Sequence, residues 1–421
     1  MVKSCPTCGD NEVKISSDAR FYWLSQGQRD VKSGCCGNDS CCATPAVGEK
    51  IGFLGGNATR PLPESNPIDV MSTCLALIEI VDSCNLTCPT CFADSQPGTG
   101  NEVDAVPLGE LKERIQGVID RKGKIEILQL SGGEPTLHPQ FFELIQWCQD
   151  HSEIDYVLVN SNGLRLAGDR AFGEKLAEVM DYGHLQFYLQ FDGTSEEADI
   201  NLRGSDLRAM KGRAIERAGE LGIPMTLAMT VIPENLDNLW ETVAYGLKYD
   251  HVRGVAFQPM FGSGRIHAHA ESKLNVSDII LGLVDQSAGT VSFDDFTPLP
   301  CGDPNCATIG YLLKADQEIR SISDFVDFAT LQGFLSDRML YRLEDLIKCG
   351  CESEPLGKLL HSLELDERHT FRLFIKPFMD GSDWDEDRID RCCTHVIRPD
   401  GKLDSFCRYY LNGGAKGFSP A

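Results

Sequence analysis

Short apolar runs recur through the middle of the chain. CLALIEIV (74–81), KIEILQL (124–130), DYVLVN (155–160), LQFYLQF (185–191), IPMTLAMTV (223–231) and GVAFQPM (254–260) have the near-continuous apolar character of strands buried on both faces. Between them, PLGELKERIQGVIDRK, HPQFFELIQWCQDH, DRAFGEKLAEVMDYG, SDLRAMKGRAIERAGELG and ENLDNLWETVAYGLKYD space their apolar residues at helical intervals. Six βα units predict an α/β fold, a parallel sheet curled into a partial or full (β/α) barrel with its chemistry at the carboxyl ends of the strands. A doubly wound open sheet is the competing architecture.

The flanks differ from this core. Residues 1–70 contain CPTCG, GCCGNDSCC and GGNATRPLPESNP and show little periodicity, which predicts a Cys-rich metal-binding module and a linker. Residues 71–300 are the predicted barrel core. After FTPLPCGDPNC the strand–helix rhythm fades, helical patterns such as LQGFLSDRMLYRLEDLIKCG follow, and cysteines return at 349, 351, 392, 393 and 407. Residues 301–421 are therefore expected to form a C-terminal module.

Composition narrows the function. A formal net charge of −24 disfavours a nucleic-acid footprint or docking on anionic lipid. No apolar run reaches the roughly 18–20 residues of a membrane helix, and the polar N-terminus lacks a signal-peptide core, so a cytoplasmic location is expected. Eighteen cysteines in 421 residues exceed incidental core use, and a chain this long does not depend on disulfide staples. In a reducing compartment that surplus points to metal.

Cys84, Cys88 and Cys91 in CNLTCPTC follow the first predicted strand at offsets of four and three. Those offsets also match one helix face, but Pro89 lacks an N–H and argues for a compact loop. Three converging thiolates suit a soft metal centre, and three rather than four leave one iron of a [4Fe-4S] cluster open. Zinc and inert thiols are the alternatives.

With LSGGEPTLHP following the second strand, the triplet resembles the radical S-adenosylmethionine (SAM) superfamily. That resemblance implies that Cys84, Cys88 and Cys91 bind the cluster, that the open iron chelates SAM, and that one electron releases a 5′-deoxyadenosyl radical. It also implies an external electron donor of flavodoxin or ferredoxin type. Gly132 and Gly133 permit close backbone approach, so their carbonyls are candidates to meet the SAM ammonium, with Glu134 a further acceptor. Asn162, Gln190, Asp192 and Gln258, at later strand ends, are candidates to face cofactor or substrate, weighed equally against simple turn roles. His138 is expected to be structural and Cys148 to be a buried free thiol.

Four of Cys301, Cys306, Cys392, Cys393 and Cys407 would complete an auxiliary Fe-S cluster, with zinc the alternative. Cys349 and Cys351 are ambiguous. Cys5 and Cys8 make half a knuckle for zinc or mononuclear iron, and Cys35, Cys36, Cys41, Cys42 and Cys74 are candidates to complete it or to hold another cluster.

TCLALIEIVDSCNLTCPTCFA, GGEPTLHP, VRGVAFQPM, PLPC, and CC followed by PDGKLDSFC resemble more closely the radical SAM family of the archaeal tetraether lipid synthase and the dihydropterin methylase. The likeness covers most of residues 72–410, and the chain departs from the family pattern before Cys74. It implies C–C bond formation or methyl transfer at an unactivated carbon of a small-molecule or lipid substrate, lipid-like or pterin-like. Two alternatives remain at this level. The vicinal pairs Cys35–Cys36, Cys41–Cys42 and Cys392–Cys393 suit trivalent arsenic as acceptor of a SAM-derived carbon fragment, and a non-catalytic Fe-S carrier or metal sensor would also use many thiols.

Overall fold

The six apolar runs form six strands: β1 Leu75–Val81, β2 Ile125–Gly132, β3 Ile154–Ser161, β4 Leu185–Gln190, β5 Met225–Val231 and β6 Val252–Pro259. In the computed structural model the described residues are 1–7, 9–22, 68, 73–181, 183–266, 273–298, 303, 305–315, 318–325 and 369–418. The strands pair in parallel in chain order, each joined to the next through helical segments. This is the βα repetition that the periodicity predicts, with nearly every residue of β1 buried because both faces are covered.

The helices bury the faces their spacing predicts. In α1, Leu108–Lys122, Leu111, Ile115, Val118 and Ile119 turn inward, at intervals that share one helical face. α2, Phe141–Asp150, buries Phe141, Leu144, Ile145 and Cys148. The Cys148 thiol sits in the core as expected, and burial pushes it up to about 12. α3, Arg170–Val179, starts where the Asp169 carboxylate accepts the Phe172 N–H at 3.0 Å. Helices α4, Glu196–Arg203, and α5, Arg208–Glu220, follow β4, and α6, Leu239–Gly246, and α7, Val276–Gln286, flank β6 in sequence. Truncating a fully buried side chain such as Leu111 to alanine would cost about 2–5 kcal/mol.

Segments beyond the six-unit rhythm extend the same sheet. β7, Thr308–Ala315, runs antiparallel to β8, Thr370–Ile375, and β8 is parallel to β6. On the other side β9, Thr394–Ile397, is parallel to β1, and β10, Leu403–Ser405, folds back antiparallel to β9. Helix α8, Phe406–Leu411, follows β10 directly. With two short strands beside β7, at Thr297–Pro298 and Glu318–Ser321, the sheet has twelve strands. Among the described residues its two ends do not pair, so the barrel is partial. No helix among them is long and apolar enough to cross a membrane.

Near the N-terminus Val2–Cys5 and Gly9–Glu12 form an antiparallel hairpin with Cys5 exposed at its end. Cys8, Cys35, Cys36, Cys41, Cys42, Cys301, Cys349 and Cys351, and the helical pattern at 331–350, lie outside the described residues.

Candidate active site at the strand ends

β1 ends at Val81, and the chain then passes through Cys84, Cys88 and Cys91 without forming a helix, as Pro89 predicts. All three thiols line one cavity of about 260 Å³, together with the carboxyl ends of β2 to β6. The loop is clamped from outside. The Arg265 guanidinium donates to the Cys88 carbonyl at 3.0 Å, its backbone N–H donates to the Cys91 carbonyl at 3.0 Å, and it pairs with Asp94 at 2.9 Å. The Thr90 hydroxyl donates to the Leu202 carbonyl at 2.8 Å, tying the loop to α4.

Gly132 and Gly133 bring the end of β2 against the backbone that leads into the loop. Gly132 has φ of +109°, and a Cβ on Gly133 would lie 2.0 Å from the Ser83 carbonyl oxygen. The Gly133 N–H reaches the Val81 carbonyl at 2.7 Å and the Glu134 N–H reaches that of Ser83 at 3.0 Å. These glycines thus serve the contact between two strand ends while also lining the cavity.

Glu134 is buried and fully engaged. One carboxylate oxygen accepts the Thr136 hydroxyl at 2.7 Å, the Ser161 hydroxyl at 2.9 Å and the Thr136 N–H at 3.3 Å; the other accepts the Asn162 N–H at 2.7 Å. Three donors on one oxygen and one on the other let Glu134 brace the ends of β2 and β3. The braced Asn162 side-chain amide points at the loop, donating to Asn85 at 2.6 Å with the Cys84 sulfur at 3.8 Å. Its carbonyl accepts the ammonium of the fully buried Lys211 at 2.5 Å, and Lys211 also donates to Gln190 at 3.0 Å. Burial lowers Lys211 to about 8.

Gly132, Gly133, Glu134, Asn162, Gln190 and Gln258 all line the cavity, whereas Asp192 does not. Asp192 is buried beneath it in a bidentate pair with Arg203, both contacts at 2.7 Å, and also accepts the Thr230 N–H at 3.0 Å. It is Arg203, from the end of α4, that lines the cavity, where its charge acts on the Cys88 thiol. Sequence reading passes over Arg203 because only the placement of α4 brings it back over the end of β4. The available signal was a buried-strand Asp-Gly followed by an arginine at the end of the next helix. His138 is structural, its imidazole bonded to the Val106 carbonyl at 2.8 Å.

A second thiol group sits behind β9. Cys306, before β7, Cys392, before β9, and Cys407, in α8, come from three separate segments and interact electrostatically. Arg388 donates to the Cys306 sulfur at 3.6 Å, and the Met379 N–H donates to Cys407 at 3.3 Å. Burial pushes Cys392 and Cys407 up to about 12. Cys393 interacts with Cys392 and with the buried His395, and its carbonyl accepts the N–H of Leu75, next to buried Cys74.

The residues at the strand ends fit a cubane cluster. Among the described residues no three His, Cys, Asp or Glu side chains close on a single ion, as zinc ligands about 2.3 Å from one centre would. A [4Fe-4S] cluster instead takes each thiolate on a different iron, which suits three thiols spread around the mouth of one cavity. Burial raises Cys84 to about 12 as a free thiol, so a cluster would have to supply the stabilisation of its thiolate.

Known proteins resemble parts of this chain. Residues 78–246, from β1 through α6, match the radical SAM superfamily. Over 398 aligned residues the chain is 27% identical to 7,8-dihydro-6-hydroxymethylpterin dimethyltransferase of Methanocaldococcus jannaschii, covering 80% of this chain and 76% of that protein. It is 26% identical to the mycofactocin maturase MftC of Mycolicibacterium smegmatis, over 49% of this chain and 52% of the maturase. The Streptococcus suis SuiB crystal structure with its precursor peptide SuiA aligns over 52% of this chain at 17% identity, with a TM-score of 0.40. A non-catalytic carrier is thereby set aside: residues 78–246 match the radical SAM superfamily, and the chain is an enzyme of the radical SAM type.

Proposed function

We propose that the protein uses SAM to form a C–C bond or transfer a methyl group at an unactivated carbon of a small substrate held in the cavity. The observation that carries this reading is the placement of three cluster-type thiols, Asn162 and Arg203 around one cavity at the strand ends. The similarity to a pterin dimethyltransferase over most of both chains supports the transfer chemistry.

Cys84, Cys88 and Cys91 would hold a [4Fe-4S] cluster. When bound, that cluster and SAM supply the radical that takes a hydrogen atom from the substrate. The chain's own groups position the parts. Arg203, fixed by Asp192, presents a guanidinium to the carboxylate of SAM, and the carbonyls of Gly132 and Gly133 offer acceptors to its ammonium. Asn162, held by Glu134 and Lys211, orients an amide toward Cys84. Phe92, Phe261, Phe378 and Phe406 close the cavity with apolar surface, excluding water from a reactive species.

Cys306, Cys392 and Cys407 would hold an auxiliary Fe-S cluster, with Cys301 or Cys393 as the fourth ligand. Cys74 would belong to a further centre shared with the N-terminal cysteines, and Cys5 with Cys8 to a zinc or mononuclear iron knuckle. An external flavodoxin- or ferredoxin-type protein would deliver the electron.

The test is anaerobic reconstitution followed by incubation with SAM and dithionite. Formation of 5′-deoxyadenosine is the expected result, and its absence from a fully loaded protein would sink the reading.

A further inference from the structure

β8 lies outside the matched radical SAM segment yet completes the cavity wall beside β6. Along a strand, alternate residues face opposite ways. Phe371, Leu373 and Ile375 are buried in the core, while Arg372, Phe374 and, one residue past the strand, Lys376 line the cavity. The Lys376 N–H still bonds the Phe257 carbonyl at 2.9 Å, so the extended register carries through to that lysine. We propose that Arg372 and Lys376 bind an oxyanion group, a carboxylate or a phosphate, on a small hydrogen-bonding substrate. This rests on the reading of the cavity as the radical SAM active site.

Charge is the first argument. Among the described residues the charged ones lining the cavity are Glu134, Arg203, Arg372 and Lys376. Arg203 is already matched by Asp192, and the charge of Glu134 acts on the buried ammonium of Lys211. Arg372 forms no ion pair among the described residues. Lys376 is 6% exposed, reaches the Thr394 hydroxyl at 3.1 Å and acts on the Cys392 thiol behind the cavity wall. Two cations therefore face the same cavity in a chain whose net charge is −24. Desolvating them beside Phe374 and Phe378 is costly, and a bound anion would offset that cost.

The second argument is the polar layer beside them. Gln129 donates to Asn160 at 2.5 Å and Asn160 to Ser131 at 3.0 Å; Gln186 donates to Thr226 at 2.5 Å, and Gln258 to the Tyr188 hydroxyl at 3.0 Å. These groups all line the cavity and have further donor and acceptor capacity. A hydrocarbon chain laid across them would leave that capacity desolvated and unpaired, whereas a molecule with heteroatom edges would use it. Leu75, Leu77, Ile127 and Leu158 supply apolar surface for the rest of such a molecule. The combination selects a compact anionic molecule over a long neutral lipid.

The test uses the reconstituted full chain, saturated with SAM so that Arg203 is engaged. Thermal unfolding is followed against pyrophosphate, tricarballylate and dioctanoylglycerol at constant ionic strength. A saturable rise in Tm with one of the two anions is expected, and which one responds distinguishes phosphate from carboxylate. Arg372→Met and Lys376→Met should each weaken the responding anion by about tenfold or more. Should either variant fail to fold, phenylglyoxal labelling of the wild type replaces it, with Arg372 expected to be protected by that anion. The inference is overturned by no saturable shift from either anion, by a shift that survives both substitutions, by unprotected Arg372, or by a response to dioctanoylglycerol alone. Wild-type 5′-deoxyadenosine formation, measured on the same preparation, separates the two failures. Its presence without anion binding removes this inference only, and its absence removes the radical SAM reading beneath it.

Discussion

The two thiol groups are built in opposite ways. Cys84, Cys88 and Cys91 lie within eight residues of one loop and open onto the cavity, with Asn162 and Arg203 beside them. Cys306, Cys392 and Cys407 are gathered from distant segments, do not line the cavity, and have the Arg388 guanidinium against them. An open face suits a cluster that must bind another molecule, and a closed one suits a cluster that transfers electrons or holds the C-terminal segments in place. The contrast assigns different failures to the two groups.

The largest effect should come from the open group. A Cys84→Ala/Cys88→Ala/Cys91→Ala variant is expected to lose 5′-deoxyadenosine formation to background and about four irons per chain by chemical iron and sulfide analysis. The complementary Cys306→Ala/Cys392→Ala/Cys407→Ala variant should also lose iron but keep SAM cleavage, measured by chromatography, within about tenfold of wild type. If both variants lose cleavage alike, the distinction between open and closed groups fails.

Arg203 sharpens the comparison one step out from the sulfurs. Removing it leaves Asp192 buried without its guanidinium, so Arg203→Met should cost about 3–5 kcal/mol in denaturant unfolding. In whatever protein remains folded, the KM for SAM should rise more than kcat falls, because a ground-state contact is lost. Gly133→Ala tests the strand contact that places the loop. A methyl 2.0 Å from the Ser83 carbonyl forces backbone movement costing about 1–3 kcal/mol, visible as a lower Tm. Comparable in size, Glu134→Gln keeps the shape but exchanges an acceptor oxygen for an NH2 among four donors. A loss of about 1–3 kcal/mol is expected, with SAM affinity reduced through Asn162.

The same contrast explains what the sequence made legible. A cysteine loop at short spacing, followed one βα unit later by Gly-Gly-Glu-Pro, carries its geometry within local chain, and so do six strands whose apolar runs exceed any competing pattern. Arg203 and Asp192 meet only through the fold of α4 over β4, so the carboxylate was expected to face the cavity where its partner does. β8 was hidden for a different reason. TFRLFIKPF alternates with period two, but it falls after the βα rhythm has ended, and only its pairing with β6 turns Arg372 and Lys376 toward the site. The gathering of Cys306, Cys392 and Cys407 likewise depends on β9 pairing with β1, across more than three hundred residues of chain.

The central claim, that the Cys84–Cys88–Cys91 loop leaves one iron open to SAM, is tested most directly by electron paramagnetic resonance. The sample is the dithionite-reduced Cys306→Ala/Cys392→Ala/Cys407→Ala variant, recorded with and without SAM. A reduced [4Fe-4S] signal whose g-values shift on adding SAM is the predicted result. A cluster signal that SAM leaves unchanged, in protein with full iron at the loop, would contradict the account.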